Sequence, residues 1–229
     1  MRATTTLATL LLSAAALPLA AQGNDHDHDQ SAEPASAGAT ATAGAAAAPA
    51  GWTIRPDGKG DAAKVKVVGM GQGLHITTGP AIVLYRADTK GSGAFHTLAR
   101  FTQTKPSAHP EGYGLLFGGK ALDGPAQQYF YFLVRQDGAY LIKRRDGEKT
   151  SDISKGWVTH AAVVKPDAKG SATNLLEVDH KIDAAKLTFK VNGQDVHSMD
   201  AAGLDLDGIV GIRTNHNLDL HVDGFDVHR

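Results

Sequence analysis

The 229-residue chain contains no cysteine. That excludes disulfides, thiolate metal sites and thiol nucleophiles together. Glutamate is scarce: Glu33, Glu111, Glu148 and Glu177 are the whole complement, which restricts any chemistry that needs paired carboxyl groups. Neither sign of charge is in excess, with 23 Lys and Arg against 24 Asp and Glu, so neither nucleic acid nor an anionic membrane is indicated as a partner. Long apolar runs are missing as well. The longest, Leu7 to Leu19, falls short of the roughly 20 residues a membrane helix needs. Behind Met1-Arg2 and ahead of small residues, it reads as a secretory signal peptide over residues 1–23. Cleavage leaves no stable membrane span, so the expected location is secreted or periplasmic.

Residues 24–50 are Ala, Gly, Thr, Ser, Asp, His and Pro in the main. Alanine alone buries too little surface to offset chain entropy, so this segment reads as a disordered tether. It holds Asn24-Asp25-His26-Asp27-His28-Asp29, in which His26 and His28 offer imidazoles for Zn²⁺, Ni²⁺ or Cu²⁺. Cleavage after Gly23 places His26 third from the new amino terminus, a square-planar Cu²⁺ or Ni²⁺ arrangement.

The domain spans 51–229, a length that buries roughly 70% of its unfolded surface and needs no disulfide. Asp-Gly and Asn-Gly pairs recur through it, at 57–58, 123–124, 137–138, 146–147, 192–193, 207–208 and 223–224. Between such marks lie short runs rich in Val, Ile, Phe, Tyr and Thr. Strands are expected at 64–69, 73–77, 81–86, 94–103, 112–118, 127–135, 139–145, 157–164, 173–179, 186–192, 194–198, 208–214 and 218–227. No stretch sustains a 3.6-residue apolar period. Many short strands separated by turns indicate an all-β, two-sheet antiparallel sandwich or jelly roll.

Two segments allow side chains to be assigned to faces. Treating Asp137-Gly138 as a two-residue turn pairs Arg135 with Tyr140 and Tyr131 with Arg144. One face is then Phe130, Phe132, Val134 and Leu141, ending in Lys143 and Arg145; the other is Tyr129, Tyr131, Leu133, Arg135, Tyr140, Ile142 and Arg144. At the C-terminus, Val210, Ile212, Leu218, Leu220 and Val222 fall on one parity. Arg213, Asn215, Asn217, Asp219, His221 and Asp223 fall on the other.

The succession HPEGYGLLFGG (109–119), YFYFLVRQDGAYLIKRR (129–145), GW (156–157), NLLEV (174–178), LTFKVNG (187–193) and GIVGIR (208–213) resembles the concanavalin A-like lectin/glucanase superfamily. The likeness lies nearest its laminin-G-like and bacterial keto-glycoside-hydrolase-like secreted branches. It implies a jelly roll that binds carbohydrate on its concave sheet, and it places the strand of Arg213 and Asn215 there. The glucanase motif Glu-x-Asp-x-(x)-Glu is not completed: after Glu177-Val178-Asp179 stand His180 and Lys181.

The candidate ligand contacts are therefore His109 and Glu111 at a loop-to-strand entry, the Tyr/Arg face of Tyr129, Tyr131, Arg135, Tyr140 and Arg144, and Arg213 with Asn215. Tyrosine rings stack on sugars and guanidinium forks bind hydroxyl or carboxylate groups. The expected function is a secreted carbohydrate-binding or adhesion module whose partner is a carbohydrate or glycoconjugate. A glycoside-acting hydrolase of the keto-glycoside type and a cell-envelope interaction domain are the alternatives. No cofactor is required by this reading; Ca²⁺ in the sandwich is the oxygen-ligand alternative to a metal on the tether.

Overall fold

Alternation of apolar and polar residues, repeated between glycine-bearing turns, yields fifteen strands among the described residues. The computed structural model describes residues 48–58 and 60–229, so the segment expected to be a signal peptide, most of the expected tether and the readings at His26 and His28 lie outside the described residues. In chain order the strands are β1 Thr53–Pro56, β2 Lys66–Met70, β3 Gly73–Thr77, β4 Ile82–Gly91, β5 His96–Gln103, β6 Tyr113–Lys120, β7 Gln128–Arg135 and β8 Ala139–Asp146. They continue as β9 Lys149–Asp152, β10 Val158–Thr159, β11 Ala172–Asp179, β12 Lys186–Val191, β13 Gln194–Asp200, β14 Gly208–Thr214 and β15 Asp219–His228.

Two antiparallel sheets result. The first runs β1-β4-β14-β6-β7-β8-β10, with β9 also paired to β8; the second runs β13-β12-β11-β5-β15-β3-β2. The core lies between them. Leu84, Leu115, Phe117, Phe132 and Ile212 of the first sheet meet Ile76, Phe101, Leu176, Phe189 and Leu220 of the second. Each of these side chains is fully buried. Phe132 sets its edge against the Phe189 ring at 5.3 Å, an arrangement that aromatic quadrupoles favour.

Val210 and Ile212, then Leu218, Leu220 and Val222, all point into this core, in agreement with their parity. The chain changes sheets between β14 and β15. The polar residues of the other parity are therefore not one stripe. Arg213 lies on the outer side of the first sheet, whereas Asp219, His221 and Asp223 belong to the outer side of the second.

The Asn192-Gly193 turn forms as expected, with both residues at positive φ and Val191 opposite Gln194. The 137–138 turn does not. Arg135 pairs with Ala139, Val134 with Tyr140 and Tyr131 with Lys143, so the loop has three residues, Gln136 to Gly138. Gln136 is held away from the ladder: its side chain accepts from Gln103 Nε2 at 3.0 Å and Ser107 N at 2.9 Å, and donates to Ser107 O at 2.8 Å. Gly138, at φ 88°, closes the turn onto Arg135 O. One residue of slip exchanges faces. Tyr140 and Arg144 therefore leave the tyrosine face for the core side, and Lys143 and Arg145 replace them.

The run 157–164 is a strand only at Val158–Thr159. Its remainder is tied to a core position of β11. Asn174 is fully buried; its Oδ1 accepts from Val164 N at 2.8 Å and Asn192 Nδ2 at 3.0 Å, and its Nδ2 donates to Val164 O at 3.1 Å. Asn174→Leu keeps the branched shape but removes three hydrogen bonds to Val164 and Asn192, each a net contribution of about 0.5–1.5 kcal/mol. Urea denaturation is expected to show a loss of about 2–4 kcal/mol; an unchanged midpoint would show that water replaces the amide.

Candidate functional site

The outer side of the first sheet carries a second apolar cluster, built from Val83, Tyr85, Leu116, Tyr129, Tyr131, Leu133 and Leu141 and covered in part by Leu122 and Trp157. Charge is set directly into it. Arg213, on β14, is 9% exposed. Its Nη1 donates to Tyr129 OH at 2.8 Å and to Asp57 Oδ2, and its guanidinium lies 4.7 Å from the Tyr131 ring centroid. A cation over a tyrosine face is attracted by the ring quadrupole.

Asp57 follows β1 directly, and its side chain is 5% exposed. Oδ2 is taken by Arg213. Oδ1 faces Arg55 Nη2 at 3.8 Å and Arg145 Nη2 at 3.9 Å, too far for hydrogen bonds. Three guanidinium groups thus surround one carboxylate. Arg55 is anchored by its own contacts to Pro56 O at 3.1 Å and to Gln127 Oε1. Arg145 donates through Nε to Gly147 O at 2.6 Å. Asp57 Oδ1, Arg55 Nε and Arg213 Nε are buried without a hydrogen-bond partner.

The electrostatics follow from this packing. Burial pushes the Asp57 carboxyl up, but the charge and hydrogen bond of Arg213, then Arg145 and Arg55, outweigh it and hold the group below its ordinary value. Burial of Tyr129 dominates there, and its phenol is pushed up to about 12 despite the nearby Arg213. The cluster is therefore ionised as three cations and one anion around neutral pH. It contains one carboxylate, held as the anion, and so offers no second carboxyl group to serve as general acid.

Of the residues expected from sequence, Tyr129, Tyr131 and Arg213 come together here. Both tyrosines are buried, so they seat Arg213 rather than present open stacking faces. Arg135 lies on the same side, paired with Asp137 and set over the Trp157 ring at 4.4 Å. Tyr140 and Arg144 do not join the cluster. Tyr140 is a core residue donating to Val196 O at 2.9 Å, and Arg144 lies 5.6 Å from the Phe130 ring. His109 is exposed, with its carbonyl bonded to Ser107 Oγ; Glu111 faces His216 at 3.9 Å. Asn215 contributes backbone contacts, from its N to Gly112 O and from Thr78 Oγ1 to its O. Glu177 bonds His96 at 3.1 Å on the far side of the second sheet.

Arg55, Asp57 and Arg145 were not legible as site residues. β1 is a four-residue strand ending in proline, with no run to announce it. Arg145 was assigned to the other face by the turn length. A cleft of about 310 Å³ opens beside Asp57, lined also by Lys64, Pro80 and His216.

No family model matches the sequence, and no curated protein matches it. Solved structures match in fold. The carbohydrate-binding module CBM66 from Bacillus subtilis aligns with a TM-score of 0.57 at 9% identity, over 78% of this chain and 96% of that one. A Bacillus subtilis protein of unknown function with a galectin-like fold gives 0.55 at 11% identity, over 77% and 88%. The exoplasmic/lumenal domain of VIP36, in a form bound to Ca²⁺ and Man3GlcNAc, gives 0.51 at 10% identity, over 78% and 83%. No helix among the described residues is long and apolar enough to cross a membrane. With its two antiparallel sheets and these likenesses, the chain has the fold of the concanavalin A-like lectin/glucanase superfamily.

Proposed function

We propose that this protein is a secreted carbohydrate-binding module whose ligand face is the outer side of the first sheet, and that it takes acidic glycans. The signal-peptide reading supports secretion, and the similar solved structures include a carbohydrate-binding module. The observation that carries the ligand class is the imbalance of three guanidinium groups around the single carboxylate of Asp57. Uncompensated charge among buried tyrosines is costly. An arriving carboxylate or sulfate supplies the missing counter-charge through bidentate contacts. Arg55 and Arg145 are the members that reach solvent, with side chains 19% and 18% exposed. Lys143, paired with Asp152 at 2.8 Å, stands at the rim. Buried Arg213 acts as the fixed centre that holds Asp57 and the tyrosines in place.

Affinity electrophoresis against polygalacturonate, alginate, levan and mannan tests this reading. Retention is expected on the two polyuronates, weakening as salt rises from 50 to 500 mM because exposed charge is screened. Arg145→Gln is expected to reduce affinity about tenfold, the worth of one charge-assisted contact, with an unchanged circular dichroism spectrum. Preference for the neutral glycans would overturn the ligand class, and no retention on any of the four would overturn the module itself.

The network also sets a pH dependence. Asp57 has a lowered pKa when folded, so the stability it contributes is complete above its ordinary value of 3.8 and is lost as the pH falls through the lower folded value. Asp57→Asn is expected to lose about 3 kcal/mol at pH 7. In paired urea melts the gap to the unsubstituted protein should stay constant down to about pH 4 and close below it. A gap that closes between pH 7 and 5 would assign the effect to another group.

A further inference from the structure

Among the described residues no group of three or more His, Cys, Asp or Glu side chains is arranged to hold a metal ion unaided. A pair of imidazoles is. β3 and β15 set His75 directly opposite His221 on the outer side of the second sheet, away from the arginine cluster. His221 Nε2 lies 2.9 Å from His75 Nδ1, with ring centroids 4.7 Å apart and planes at 65°. The other ring nitrogen of His75, Nε2, faces Asp219 Oδ1 at 3.2 Å. Asp219 is fixed in turn by Thr104 Oγ1 at 2.5 Å and Lys105 Nζ at 2.9 Å.

With Asp219 Oδ1 accepting from His75 Nε2, Nδ1 is the nitrogen of that ring left to offer a lone pair. Metal-binding imidazoles are oriented in this way, by a carboxylate on the nitrogen that does not ligate. Here that lone pair is taken by the hydrogen bond with His221 Nε2. Neither the core nor the proposed ligand face uses the pair. Its neighbours across the sheet are Thr102 on β5, bonded to Thr173, and the half-exposed Val68 on β2.

We propose that His75 Nδ1 and His221 Nε2 form a two-imidazole site for a tetragonal divalent transition metal, Cu²⁺ ahead of Ni²⁺, with Asp219 positioning His75 and water completing the coordination. With metal–nitrogen bonds of about 2.0 Å, cis nitrogens on a square plane are about 2.9 Å apart, and tetrahedral ones about 3.3 Å. The 2.9 Å present is the length of the hydrogen bond between the rings and lies near both values, so the metal preference rests on Cu²⁺ standing highest in the affinity order for nitrogen sites. On binding, the Nε2 proton of His221 moves to its Nδ1, freeing Nε2 for the metal. The rings must tilt for both lone pairs to meet at one point. The His75 side chain, 33% exposed, has room to do so.

Calorimetric titration of the whole chain at pH 7.5 with Cu²⁺, supplied as its weak glycine chelate, tests the assignment. His26→Gln with His28→Gln serves as the background that removes the imidazoles of the amino-terminal segment. One Cu²⁺ equivalent is expected in that background. It should disappear on adding His75→Gln or His221→Gln, and should weaken ten- to a hundredfold with Asp219→Asn. The same stoichiometry and affinity in both histidine variants would overturn the site, and tighter binding of Zn²⁺ than of Cu²⁺ would overturn its metal preference. Independently of any substitution at the pair, substoichiometric Cu²⁺ should broaden amide resonances of β3 and β15 around His75 and His221 in an ¹H–¹⁵N spectrum. Broadening confined to other strands would also overturn the proposal.

Discussion

Strict alternation of side chains along a strand is the constraint on which the rest of this molecule depends. Each strand offers a core side and an outer side, so one residue of register decides the company a side chain keeps. The β7–β8 hairpin shows the consequence. The amide of Gln136, clamped by Ser107 and Gln103, lengthens the turn by one residue. That residue places Lys143 and Arg145 on the tyrosine side. With the shorter turn, Tyr140 and Arg144 would stand there, and Arg145 would face the other way. A polar contact outside the site thus determines the charge within it.

The architecture was legible because burial speaks through period two. Strong alternating runs such as 73–77 and 208–214 match β3 and β14 residue for residue, and Val210, Ile212, Leu220 and Val222 point inward as their spacing requires. Short or weakly patterned strands were not legible. β1 carries too few apolar residues to declare itself, and β9 is a fully exposed edge whose residues repeat no burial signal. Of the site, Arg213, Tyr129 and Tyr131 were visible. Asp57 was not, because two of its three guanidinium neighbours, Arg213 and Arg145, lie 156 and 88 positions away and meet it only through sheet order. The C-terminal polar parity misled for a related reason. Its residues share a phase along the chain, but the crossing between β14 and β15 sends them to opposite sides of the sandwich.

The two sides handle charge differently. On the first sheet, arginine is sunk among tyrosines, where a guanidinium remains ionised at any accessible pH. Its neutralisation must come from Asp57 or from an anion brought from outside. On the second sheet, histidines and carboxylates sit in partly exposed pairs, His75 with Asp219 and His96 with Glu177. An imidazole offers a ring nitrogen that can serve as a metal ligand, as a guanidinium does not. Permanent charge suits recognition of a fixed anion, whereas titratable charge suits an exchangeable cation.

The buried arginine cluster also links folding to binding. Removing Arg213 would leave Asp57 as a buried anion without its hydrogen-bonded partner, so its loss is a folding defect before it is a binding defect. Arg55 and Arg145 stand farther from Oδ1 and have donors to spare. Any anion they capture adds counter-charge to a region that carries a positive excess, and binding to the native state alone stabilises it by mass action. In the proposed module Arg213 would organise the site from beneath, and Arg55 and Arg145 would meet the ligand at its edge. This division of labour allows the outer pair to change with the ligand while the centre stays constant. Without disulfides, such a centre cannot be exchanged freely, because the same ion pair that orients the site fastens the segment after β1 to the first sheet.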